Sequence, residues 1–144
     1  MNALFPTFES FSEKFIELNF TKADKDSNMK TKYAISKLNS LYMKTEVFAD
    51  DGSVEHIISE REGGDTLNIG NLILLESSLN QEAGDKEYSD KRTVYAKSHY
   101  PWVENFIAEH SDWDSSMIKE RAKKLSRVYY KCILKRELPT TQEV

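Results

Sequence analysis

The sequence predicts an α+β fold, mostly helical, with a small ββα unit in the middle of one 144-residue domain. Three observations carry this reading. Apolar residues recur at steps of three and four near both ends of the chain, the spacing of one helical face. Between positions 45 and 58 the pattern shifts toward alternation, the period of a strand. Leu72-Ile73-Leu74-Leu75 is then a short apolar run bounded by turn residues, as in a buried strand.

The N-terminal helices occupy residues 1–43. Phe8, Phe11, Phe15 and Leu18 line one face, with Pro6 and Thr7 at the start, where proline and a capping hydroxyl are tolerated. A polar loop from Thr21 to Asn28 precedes a second helix, with Ala34, Ile35, Leu38, Leu41 and Tyr42 inward. The ββα core spans residues 44–84. Thr45 to Phe48 favours strand, Asp50-Asp51-Gly52 signals a turn, and Val54 to Ile58 forms the next short strand. Residues 59–70 read as loop, with Gly63-Gly64 and Gly70 as breakers. After Leu72 to Leu75, Ser77 or Ser78 caps a short helix carrying Leu79 and Asn80.

The C-terminal helices fill residues 85–137. One runs from Tyr88 to Ser98, and Pro101 opens another with Trp102, Val103, Phe106 and Ile107 apolar. The last places Ile118, Ala122, Leu125, Tyr129 and Cys132 on one face, capped by Asp112 or Asp114 and followed by Pro139. Cys132 is therefore expected in the core, as are Trp102 and Trp113. A ββα unit of this size is not stable alone, so the flanking helices must supply most of its core.

Composition narrows the function. Apolar residues make up 39% and charged residues 31%, which excludes a low-complexity chain and argues against wholesale disorder. One cysteine excludes an internal disulfide and zinc sites built on cysteine pairs. No window approaches the roughly 18–20 apolar residues of a membrane span, and Met1 to Pro6 lacks the basic and apolar runs of a signal peptide. A cytoplasmic location without membrane contact is expected. The net charge is −4, yet residues 85–137 carry 12 basic and 9 acidic side chains, so any nucleic-acid contact should lean on that part. Ordinary solvated helix faces are the plainer account of the same charges.

Chemistry concentrates between Val54 and Asn80. Glu55 and His56 close one strand, Asn71 opens the next, and Asn80 lies nine residues further on in a helix. Folded as a hairpin against that helix, Glu55, His56 and Asn80 can converge. The set suits phosphodiester hydrolysis. A histidine near its ordinary pKa of about 6.5 can take a proton from water. One carboxylate and one amide oxygen form a hard half-shell of the kind Mg²⁺ prefers. Strand alternation sends Glu55 and His56 to opposite faces unless the strand ends or bulges there. Taken singly these residues have structural uses too. A lone strand histidine is commonly a satisfied core group, Glu55 a surface carboxylate, Gly70-Asn71 a turn former and Lys91 a solvated cation.

In order and spacing, Glu55-His56-Ile57, Ile69-Gly70-Asn71-Leu72-Ile73-Leu74-Leu75, Leu79-Asn80 and then Lys91, Tyr95 and Ser98 resemble a known pattern. It is that of the HNH, or ββα-metal, endonucleases, in particular the C-terminal nuclease class of modification-dependent Gmr-type restriction proteins and related anti-phage defence systems. The resemblance covers most of the chain. It implies His56 as general base, Glu55 and Asn80 as ligands of Mg²⁺, Mn²⁺ or another divalent cation, and Asn71 as the asparagine that ties the loop and orients the histidine's backbone. Lys91, with Arg92 beside it, is implied to contact phosphate. The class usually has proline where this chain has Ser59, a change expected to loosen the strand exit. DNA is the implied substrate, ahead of RNA. An NTPase or modification-sensing unit, on a partner protein or a missing domain, is also implied, since this sequence has no Gly-x-x-x-x-Gly-Lys-Ser/Thr phosphate loop. The rival reading is a non-catalytic module that keeps the HNH fold and serves interactions within a defence complex. His99 and His110, at helix ends, are expected to have no site role.

Overall fold

The computed structural model describes residues 6–21, 28–43 and 52–139. Helices α1 (Phe8–Phe15) and α2 (Asn28–Tyr42) precede a two-stranded antiparallel sheet of β1 (Gly52–His56) and β2 (Leu72–Glu76). Helix α3 (Ser77–Ala83) follows β2 without a break, and α4 (Tyr88–Tyr95), α5 (Pro101–Glu109) and α6 (Ile118–Val128) come after it. The mostly helical α+β class expected from the sequence is the one observed. The strand expected at Thr45 to Phe48, with its Asp50-Asp51 turn, lies outside the described residues.

Local chemistry explains where α1 and α2 begin and which way they face. Thr7 caps α1 by accepting a hydrogen bond from the Ser10 amide at 3.2 Å. Phe8 and Phe15 are buried, and Phe11 packs against Tyr129 and Tyr130 with ring centroids 5.9 and 5.4 Å apart. In α2, Ala34, Ile35 and Leu38 face the core as expected, but Leu41 is 42% exposed. Two steps of three fall short of two full turns, which leaves Leu41 about 120° around the helix from Ile35. Tyr42 lies close to the Ile35 direction instead and stacks on Trp102 at 5.9 Å.

The sheet sits at the centre of the core. Its register pairs Glu55 with Ile73 and His56 with Leu72. Leu72 through Leu75 are all buried, because helices cover both faces of β2; this is why the strand reads as a continuous apolar run. α3 starts directly after Glu76, which occupies the N-cap position without a side-chain cap bond, so neither Ser77 nor Ser78 is the cap. Three short 3₁₀ turns, Glu60–Glu62, Gly64–Leu67 and Ile69–Asn71, carry the chain from β1 to β2. At Gly70 the constraint is close approach: a Cβ there would lie 2.0 Å from the Ile118 carbonyl oxygen. Only glycine lets the start of α6 pack this tightly on the turn before β2.

Asp114 caps the turn Ser115–Met117 that leads into α6, its Oδ1 accepting from the Ser116 amide at 2.9 Å. Ile118, Ala122, Leu125 and Tyr129 are buried as the spacing predicts, and so are Trp102 and Trp113. Cys132 is not; it is exposed. The final turn, Tyr129–Ile133, is π-helical, closed by a bond from the Leu134 amide to the Tyr129 carbonyl at 2.9 Å. A π turn fits more residues into each revolution than an α turn. The apolar stripe loses phase there, and Cys132 rotates out of the face that its spacing assigned it.

Candidate active site

The end of β1 sends adjacent side chains in opposite directions. Glu55 is 3% exposed and meets α4, where Tyr95 donates its hydroxyl to Glu55 Oε2 at 2.5 Å. Lys91, one turn earlier on the same face of α4, places Nζ 3.1 Å from the same oxygen. Burial, then the neighbouring carboxylate, pushes the Tyr95 hydroxyl well above its usual range, so it remains a donor. Lys91 also donates to the main-chain carbonyl of His56 at 2.6 Å. The phosphate contact expected of Lys91 therefore gives way to an internal role. Its side chain is 1% exposed and its ammonium binds both residues at the end of β1.

His56 points the other way. Its ring is 3% exposed and packs near Phe20, with Nε2 2.7 Å from the Phe20 carbonyl oxygen. A carbonyl can only accept, so Nε2 carries the proton and, in the neutral ring, Nδ1 carries the lone pair. Glu60 lies beside the same nitrogen, its Oε1 at 3.5 Å, while its Oε2 accepts from the Thr21 hydroxyl at 2.9 Å. The segment bearing Phe20 is itself stitched to the β1–β2 connection. The Phe20 amide donates to Leu67 O at 2.9 Å and the Ile69 amide to Leu18 O at 2.8 Å.

Asn71 ties the strand exit through its side-chain amide. Fully buried, it accepts at Oδ1 from the Ile58 amide at 2.9 Å and from the Trp113 indole at 3.1 Å. Its Nδ2 donates to the carbonyls of Ile58 and Thr66 at 2.9 and 2.8 Å. Ser59 does not loosen this exit. Its backbone keeps φ −51° and ψ 137°, values that a proline also adopts, and its hydroxyl donates to Asp85 at 2.7 Å.

Asn80 reaches back from α3 to β1. Its Nδ2 donates to Ser53 Oγ at 2.9 Å and to the Val54 carbonyl at 3.0 Å. With the amide nitrogen held by these two acceptors, Oδ1 is the atom left to act as a ligand. Ser53 and Glu55 lie on one face of β1 by alternation, so Asn80 and Glu55 come to the same side of the strand while His56 takes the other. The expected convergence of all three is thus met only as two groups flanking the strand end. Among the described residues no three His, Cys, Asp or Glu side chains cluster as a metal site. A carboxylate and an amide oxygen are donor types that a hard divalent ion accepts; Glu55 and Asn80 carry one each, with Glu55 Oε2 already bonded to Lys91 and Tyr95.

Several contributors could not be read from the sequence. The Phe20 carbonyl approaches His56 from a segment distant along the chain, and Glu60, held by Thr21, approaches it from the stretch that reads as loop. Ser98, part of the pattern that carried the resemblance, donates to Glu76 at 2.7 Å and so clamps the end of β2. Arg121 sits between the apolar positions of α6 and is buried, donating to the carbonyls of Gly70 and Leu72 at 2.9 and 2.7 Å. Its position between Ile118 and Ala122 was the available signal.

Residues 5–128 match the family model described as GmrSD restriction endonucleases, C-terminal domain. No curated protein and no solved structure matched the chain. No helix among the described residues is long and apolar enough to cross a membrane.

Proposed function

The chain belongs to the family of GmrSD restriction endonuclease C-terminal domains, and from that premise we propose that it is a metal-dependent endonuclease of the ββα-metal (HNH) type that hydrolyses phosphodiester bonds of DNA. The observation that carries this reading is the hydrogen bond from His56 Nε2 to the Phe20 carbonyl, at the end of a strand that also bears Glu55. It fixes the tautomer that a general base needs. The order β1, connection, β2 and α3, with Asn80 on the helix, supports the ββα assignment.

In this mechanism His56 takes the proton of the attacking water, and the Phe20 carbonyl and Glu60 stabilise the imidazolium that results. A bound Mg²⁺ or Mn²⁺ supplies Lewis-acid polarisation of the phosphate and stabilisation of the leaving oxygen. Glu55 and Asn80 are the residues that would hold it. Lys91 and Tyr95 fix the Glu55 carboxylate, and Lys91 and Asn71 fix the backbone on either side of Ile57. DNA is the substrate, delivered by an NTPase or modification-sensing unit on another domain or protein.

Plasmid cleavage with Mg²⁺ or Mn²⁺ tests the reading. His56→Ala should lower the rate by about 10²-fold or more, the usual contribution of a general base. Undiminished cleavage removes His56 from the mechanism. One observation favours the rival, a non-cutting interaction module: Glu55 is already paired with a buried cation, which lowers the charge it offers a metal.

A further inference from the structure

A second site lies away from β1, where α5, α6 and the end of α2 enclose a cavity of about 470 Å³. Its lining is unusual in one respect. Arg121 is 8% exposed, and among the described residues no carboxylate forms an ion pair with it. Nη1 is taken by the carbonyls of Gly70 and Leu72, but Nη2 is buried without a hydrogen-bond partner. Burial pulls the guanidinium down to about 10, which leaves it charged at neutral pH. The planar group lies against Phe106, Trp102 and Trp113, at 4.9, 5.5 and 5.9 Å from the ring centroids.

Glu109 acts on Arg121 only from beyond ion-pair contact; a buried cation with no contacting carboxylate is costly, and an anion entering beside it offsets that cost. Lys124 and Arg127 line the same cavity, and Arg127 Nε is likewise buried without a partner. Glu109, 3.9 Å from Lys124 Nζ, and Glu120 also line it, so the arginine, lysine and glutamate side chains there sum to +1. The remaining walls are aromatic or aliphatic. A cationic floor with apolar walls suits a ligand that joins an anionic head to a flat body.

We propose that this cavity binds a nucleoside monophosphate unit, with its phosphate directed to Arg121, Lys124 and Arg127 and its base against the aromatic wall. The ligand is either a free nucleotide or one residue of a nucleic acid strand. The site also touches the machinery at β1. Arg121 holds Gly70 and Leu72, and Trp113 holds Asn71, which braces the exit from His56. This proposal stands on the cavity alone and does not depend on the nuclease reading.

The chain has two tryptophans, Trp102 and Trp113, and both line this cavity, so intrinsic indole fluorescence reports on it directly. Deoxynucleoside monophosphates, a short single-stranded oligonucleotide and inorganic phosphate would be titrated separately, with excitation at the red edge of the indole band. The expected result is saturable quenching by a mononucleotide or by the oligonucleotide, weakened about tenfold or more by Lys124→Ala with Arg127→Gln. Circular dichroism of that variant checks that it folds. Quenching by the mononucleotide assigns a free ligand; quenching by the oligonucleotide alone assigns a strand. Absence of quenching by both, quenching that the double variant leaves unchanged, or inorganic phosphate binding as tightly as either overturns the proposal.

Discussion

The ammonium of Lys91 lies 2.6 Å from the main-chain oxygen of His56, on the opposite side of β1 from that residue's imidazole. One buried cation thereby holds the backbone of one site residue and, 3.1 Å away, the carboxylate of its neighbour. Position and charge at the strand end are set together, from a helix that begins more than thirty residues later.

This pairing makes Lys91 and Glu55 energetically inseparable. Removing one partner strands the other charge in the interior, so Lys91→Met should cost about 3–5 kcal/mol. Adding Glu55→Gln removes the stranded charge, and the double variant should be more stable than the sum of the single losses by about 1–3 kcal/mol. Urea denaturation of the four proteins measures the coupling. Strict additivity would show that the two groups do not act as a buried pair.

Gly70→Ala tests the contact between α6 and the turn before β2. A Cβ 2.0 Å from the Ile118 carbonyl oxygen has backbone, not a flexible side chain, in its way. Either α6 shifts or the turn deforms, at a cost of about 1–3 kcal/mol. Thermal unfolding should register a lowered midpoint, and activity should fall with it because Asn71 is the next residue. A midpoint equal to that of the parent protein contradicts the packing described.

Tyr95 predicts how the protein responds to alkali. Its folded-state pKa lies above the ordinary value of 10.0, owing first to burial and then to Glu55. The stabilisation linked to that shift is complete below the unfolded pKa and is lost as pH rises toward the folded one. Stability should therefore fall above about pH 10, by up to about 1.4 kcal/mol per pH unit for this one proton. Arg121, pulled down by burial from the usual arginine range to about 10, acts with the opposite sign above pH 10. Comparison of Tyr95→Phe with the parent isolates the tyrosine. The variant should start less stable, having lost the bond to Glu55, and should show the shallower decline with pH in chemical denaturation.

Asn80 separates the catalytic reading from the interaction module. Mg²⁺ or Mn²⁺ should raise the midpoint of thermal unfolding, and Asn80→Ala should abolish the rise. Asn80→Asp, which keeps an oxygen donor while losing the amide bonds to Ser53 and Val54, should retain it in part. A parent protein that responds to neither ion would favour the module.

Much of this architecture could be read from residue spacing. The faces of α1 and α6, the buried run of β2 and the positions of Glu55, Asn71 and Asn80 follow from local periodicity and the order of the motif. Leu41 fails on ordinary helical phase and the cap of α3 on a one-residue boundary; the other failures depend on partners remote in sequence or on a change of helical pitch. Lys91 looked like a solvated cation because nothing near it in the chain shows that Glu55 lies across the fold. Cys132 departs from its spacing because a π turn breaks a rule that holds as far as Tyr129. Burial of Arg121 is not legible in the sequence because a charged residue beside an apolar stripe ordinarily faces water.

The short ladder joining Leu18 and Phe20 to Leu67 and Ile69 bears on where the protein can be cut. The oxygen that receives the imidazole proton of His56 belongs to a segment thirty-six positions upstream. A fragment starting at Gly52 would retain both strands and α3 and still lose that acceptor, along with the Thr21 hydroxyl bonded to Glu60. The smallest autonomous form of this unit must therefore include the leading helices, which complete the histidine's surroundings as well as covering its strands.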